Sequence, residues 1–87
     1  MSPEQSRAAR GWLGWSQTDL AERANVSLST VRDFETARRT PIANNLEAMR
    51  KAIEAAGVRL VFNRDGTAAG ILREGSDPAP LSDKDRV

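Results

Sequence analysis

Carboxylates, guanidinium groups, two lysines and hydroxyls are the only side chains here with which an enzyme could work, because histidine, cysteine and tyrosine are all missing. That removes disulfides, thiolate and imidazole metal sites, cysteine nucleophiles and histidine acid–base chemistry together. The carboxylates are scattered among arginines, with no nucleophile beside a base. No catalysis, cofactor or metal is expected. The densest polar group runs from Ser27, Ser29, Thr30, Arg32 and Asp33 into a basic loop of Arg38, Arg39 and Thr40, with Asn44 and Asn45 beyond it. Such groups bind rather than react.

A chain of 87 residues with 39% hydrophobic and 29% charged residues suits one globular domain. A domain so short buries only about 60% of the surface its unfolded chain exposes. No apolar run approaches the ~20 residues that cross a membrane, nor does an apolar leader open the chain, so a cytoplasmic protein is expected. Residues 1–73 hold eleven Lys/Arg against eight Asp/Glu, and residues 74–87 two against four. A mildly basic body thus precedes an acidic tail, and net charge alone says little about nucleic acid.

Local signals divide the chain. Ser2 can cap a first helix with Pro3 at its first position and Glu4 in its first turn, running to Leu13 and stopping at Gly14. Ala8, Ala9, Trp12 and Leu13 are its expected buried stripe, Trp12 and Trp15 are expected to pack, and Arg7 and Arg10 are read as solvated. Ser16 caps a second helix with Leu20, Ala21 and Ala24 inward, and Asn25 suits the left-handed backbone that ends it. Ser27 caps a third helix to about Thr36 with Val31 and Phe34 inward. A fourth carries Ile42, Leu46, Met49, Ile53 and Ala56 and ends at Gly57; Thr40, Ala43 and Asn44 are candidate caps. After Gly57 the period becomes two, and Asp65-Gly66 marks a hairpin. A two-residue turn there would pair Phe62 with Ala69 and Leu60 with Ile71.

Two short helices joined by a tight turn cross steeply only where the contact residue is small, which Ala21 is. Asn25 lies four residues after it, Val31 ten and Phe34 thirteen. With Leu13-Gly14-Trp15-Ser16-Gln17, Leu20-Ala21, Asn25-Val26-Ser27, Ser29-Thr30-Val31, Phe34-Glu35 and Arg39-Thr40-Pro41, the segment resembles the phage-repressor and Cro type of helix-turn-helix, the xenobiotic-response-element family. The likeness covers residues 3–56. It departs at Asn25 and Ala37, where the family commonly has glycine.

Beyond the family's shared core, a hairpin over 58–73 is expected to serve dimerisation and 74–87 to form a disordered acidic tail; the resemblance implies a mainly α fold, with a four- to five-helix repressor-like domain over 1–57. It implies double-stranded DNA as partner, with the third helix in the major groove. Leu28, Ser29, Thr30, Arg32 and Asp33 are then the base-edge candidates. Arg32 matches guanine O6 and N7, Leu28 fits either a thymine methyl or the core, and Asp33 either cytosine N4 or the orientation of Arg32. Phosphate contacts fall to Gln17, Ser27, Arg38, Arg39, Thr40, Asn44 and Asn45. One recognition helix reads few base pairs, so a homodimer is expected, through Ile53, Val58, Leu60, Phe62 and Ile71 at a free strand edge. The expected function is a repressor occupying a palindrome. The competing reading is an antitoxin-like or accessory module whose tail binds a protein partner and which regulates its own operon.

Overall fold

The computed structural model describes residues 1–79 and runs α1 (Pro3–Leu13), α2 (Gln17–Ala24), α3 (Leu28–Glu35), α4 (Ala43–Ala55), β1 (Val58–Phe62) and β2 (Ala68–Arg73). The fold is mainly helical with a two-stranded antiparallel hairpin, as expected, and four helices precede it. Serine hydroxyls start the first three helices. Ser2 accepts from the Gln5 N–H, Ser16 from Asp19 and Ser27 from Thr30, satisfying donors that a helix start leaves open. Gly14 (φ 69°) and Asn25 (φ 55°) stop α1 and α2 in the left-handed region.

The start of α4 differs from expectation. Ile42 occupies its cap position, without a side-chain cap, in place of Thr40, Ala43 or Asn44. Lying before the first turn, Ile42 is 69% exposed rather than buried, and Ala56, just past the last turn, is exposed too.

The core is Ala9, Leu20, Ala21, Ala24, Val31, Phe34, Met49, Ile53, Val58 and Leu60, so every helix and β1 contribute. Ala21 is 4% exposed at the crossing of α2 and α3, and its carbonyl accepts the Val26 N–H at 3.0 Å. Trp15 packs against the core, with the Arg23 guanidinium 4.5 Å above its ring. Trp12 does not pack: it is 64% exposed, and Ala8 is exposed as well. The face that α1 buries carries Gln5, Ser6 and Ala9, two of them polar.

That polar face meets Glu35, which ends α3 and is 2% exposed. Its carboxylate accepts from Arg10 Nε at 2.9 and 3.1 Å, Arg10 Nη2 at 2.6 Å, Ser6 Oγ at 2.5 Å and Gln17 Nε2 at 3.1 Å. Arg10 also donates to the Trp15 carbonyl at 3.1 Å, and Arg7 to the Glu35 carbonyl. One carboxylate therefore joins α1, α2 and α3. Arg10, read as solvated from the sequence, is instead turned inward by a partner 25 residues away, whereas Arg7 stays exposed as expected while one of its nitrogens reaches the end of α3. Burial pushes the Glu35 carboxyl up, but the hydrogen bonds from Arg10, Ser6 and Gln17 outweigh it and hold the group below its ordinary value of 4.5.

The hairpin keeps Leu60 opposite Ile71 as expected, but Phe62 faces Ala68, not Ala69. Asn63 donates its N–H to the Thr67 carbonyl (2.8 Å) and accepts from Gly66 (3.0 Å), enclosing a three-residue loop with Gly66 at φ 88°. This loop, the type-I turn with a glycine bulge, is one residue longer than a two-residue turn. A second irregularity between Val61 and Phe62 leaves Ala69 unpaired and restores the register. β1 lies against α4 and β2 against α1. Of the segment expected as a tail, Glu74 still donates to the Gly57 carbonyl at 2.7 Å and Ser76 to Arg73 at 3.0 Å; residues 80–87 lie outside the described residues.

Removing Arg10 strands a buried carboxylate, so Arg10→Met should cost about 3–5 kcal/mol in urea unfolding; a loss under about 1 kcal/mol would contradict the inward pairing. Because the folded pKa of Glu35 is lowered, its stabilisation is complete above pH 4.5 and is lost as pH falls through the folded value. Glu35→Gln should therefore flatten the decline of the urea midpoint between about pH 5 and pH 3. An unchanged slope would show that Glu35 titrates as it does unfolded.

Candidate nucleic-acid interface

The bend at Asn25, Val26 and Ser27 turns α3 so that Val31 and Phe34 face the core and Ser29 and Arg32 face solvent. At its start the Ser27 hydroxyl bonds the Thr30 hydroxyl at 2.7 Å and that of Ser29 at 3.1 Å, a rigid cluster of small polar groups. Arg32 is exposed and forms no ion pair with any described residue. Thr30 and Asp33 are half-buried. Leu28 is half-buried against the core, so packing engages it, leaving part of its surface outward.

Beyond α3 the backbone folds back on itself. The Thr36 hydroxyl donates to the Arg32 carbonyl at 2.7 Å, and Ala37 adopts φ 59°. Arg38 and Arg39 then donate their N–H groups to the Asp33 carbonyl at 2.8 and 3.2 Å. The basic loop is thereby tied to the last turn of α3, with Arg38, Arg39 and Thr40 exposed. Between helix and loop lies an open cleft of about 240 Å³, lined by Ser29, Thr30, Asp33, Arg39, Thr40 and Asn45, with Pro41 and Ile42 at its side. Six residues singled out from the sequence thus meet at one surface.

Asn44 is exposed in the first turn of α4 and does not line the cleft. With no side chain capping α4, its first N–H groups stay open, and a helix start of this kind favours anions. Gln17 is placed differently: its amide nitrogen is bound to Glu35, so what it offers a phosphate is the backbone at the start of α2. Sequence reasoning missed the part of Glu35 and Arg10 in setting α3, and the exposed Ile42 beside the cleft. The signal for the first was present in Phe34-Glu35, an acid at the end of a helix next to a core residue.

A family model described as Helix-turn-helix matches residues 7–58, from the first half of α1 to the first residue of β1. The chain belongs to the helix-turn-helix family. It is therefore a DNA-binding transcriptional regulator, of a family that is not typically enzymatic. The match ends where the hairpin begins. A comparison with curated proteins finds no match. Among the described residues no helix is long and apolar enough to cross a membrane.

Ala37 lies where the family commonly has glycine, and a non-glycine residue in the left-handed region costs about 1–2 kcal/mol. Glycine returns part of that through its freer unfolded chain, so Ala37→Gly should raise stability by about 0.5–1 kcal/mol in urea unfolding. A loss of that size would contradict the strained turn.

Proposed function

We propose that this regulator is a dimeric repressor of the phage-repressor and Cro type, which inserts α3 into the major groove of a short palindromic operator. The observation that carries the proposal is the convergence of the outward side of α3 with the tethered basic loop on one open polar cleft. Arg32, unpaired and exposed, presents a fork that fits guanine O6 and N7. Ser29, Thr30 and Asp33 face neighbouring base edges, and the outward part of Leu28 suits a thymine methyl. Ser27, Arg38, Arg39, Thr40, Asn44, Asn45 and the backbone at Gln17 hold the flanking phosphates. Asp33 has no ion-pair partner among the described residues, which leaves its carboxylate available to orient Arg32 or accept from cytosine N4.

Reading two half-sites about 34 Å apart calls for two copies. Ile53, Val58 and Leu60, expected at the interface, lie in the core of the single chain. What the hairpin offers a second copy is Phe62, 46% exposed, with the half-buried Val61, and the half-buried Ile71 and Leu72 beside Trp12 on α1. A hairpin is marginal alone, and pairing two of them covers this apolar surface and the free strand edges. Repression follows from occupying a promoter.

Selecting bound fragments from random DNA, with protein of known stoichiometry, tests motif, symmetry and spacing together. An inverted repeat with centres about 10 base pairs apart is expected; a single unrepeated site bound by one chain would overturn the dimer. Arg32→Ala should relax preference at one base pair by about 1–3 kcal/mol and leave the salt slope nearly intact. Arg39→Ala should weaken all duplexes alike and reduce the slope by ~1. Identical losses on selected and random duplexes for both variants would refute this division of roles.

A further inference from the structure

We infer that Gln5 is the positioning residue that holds the hairpin in place on the DNA-binding body; its consequence for assembly rests on the dimeric reading above. Gln5 is 2% exposed, and each polar atom of its amide is used. The oxygen accepts the Ser2 N–H at 2.9 Å, while the nitrogen donates to the carbonyls of Val61 at 2.9 Å and Gly70 at 3.0 Å. Val61 and Gly70 are register partners beside the irregularity that leaves Ala69 unpaired. One side chain from the start of α1 therefore bridges both strands at the point where the ladder is disrupted.

The hairpin needs such a fastening only in its distal half. Val58 and Leu60 anchor its proximal half in the core. Beyond Leu60, the apolar anchoring fails: Phe62, Ala68 and Ala69 are exposed, and alanine and glycine have little side chain to bury. A two-stranded ribbon without a packed face frays in water. The amide of Gln5 supplies what packing does not, and it does so where Val61 and Phe62, two residues of the proposed interface, take their direction. Gln5 thus couples the start of α1 to the surface that meets the second copy. It touches no DNA in this arrangement.

The test uses the full chain and three proteins: wild type, Gln5→Met, which keeps length and apolar volume but loses both N–H donors, and Ser2→Ala, which weakens the same helix start while leaving the strand carbonyls bonded. Losing two hydrogen bonds should speed amide exchange at residues 61–63 and 68–70 by ~tenfold in Gln5→Met, with α2–α4 unchanged. The dimer dissociation constant from sedimentation equilibrium should rise by a similar ~tenfold. Ser2→Ala should move neither reading. Exchange accelerated evenly along the chain, unchanged exchange in the hairpin, or Ser2→Ala matching Gln5→Met would each overturn the proposal. A wild-type protein that sediments as a monomer would sink the dimeric reading, while the exchange pattern would still decide the role of Gln5.

Discussion

A single buried carboxylate governs how the helices sit. Glu35 could not remain charged in the interior without Arg10, Ser6 and Gln17, and those partners come from α1 and α2. Val31 and Phe34 supply the apolar attraction that brings α3 to the core, but apolar contact has little preferred direction. Hydrogen bonds to a planar acid do have direction. The angle at which α3 leaves the body, and with it the aim of Arg32, is set by charged bonds one turn further along the helix. The Asp33 carbonyl extends the same control to the basic loop by taking the N–H groups of Arg38 and Arg39.

α1 serves as the keel of the molecule, and it does so with polar residues. Ser6, Arg7 and Arg10 point to α3, and Gln5 points to the hairpin. Its apolar residue of greatest size, Trp12, is left outside. In a domain too small to bury a large core, directional bonds at fixed distances do part of the work that packing does in larger proteins.

Much of this was legible in the residues themselves. Caps at Ser2, Ser16 and Ser27 and stops at Gly14 and Asn25 are local events, decided by the residue and its near neighbours, and each falls where the sequence placed it. Ala21, Val31 and Phe34 follow from helical spacing. The misreadings share a different cause. Arg10 looks solvated because its partner is 25 residues away, and Trp12 looks buried because nothing local reveals that α1 turns its polar side inward. Ile42 fits a buried stripe by spacing, yet the helix begins one residue later. The hairpin register slipped at Phe62 because Gly66 closes a three-residue loop, a choice between turn types that Asp65-Gly66 leaves open. Local chemistry was readable; long-range polar pairing was not.

DNA is proposed to meet α3 and the loop behind it. Titrating isotope-labelled protein with a duplex recovered by selection, and following each backbone amide by NMR, tests this most directly. The largest shifts are expected at residues 27–33 and 38–45, with the loop at 63–67 unmoved by DNA. Shifts centred on Trp12 and the hairpin, with those of α3 unchanged, would contradict it.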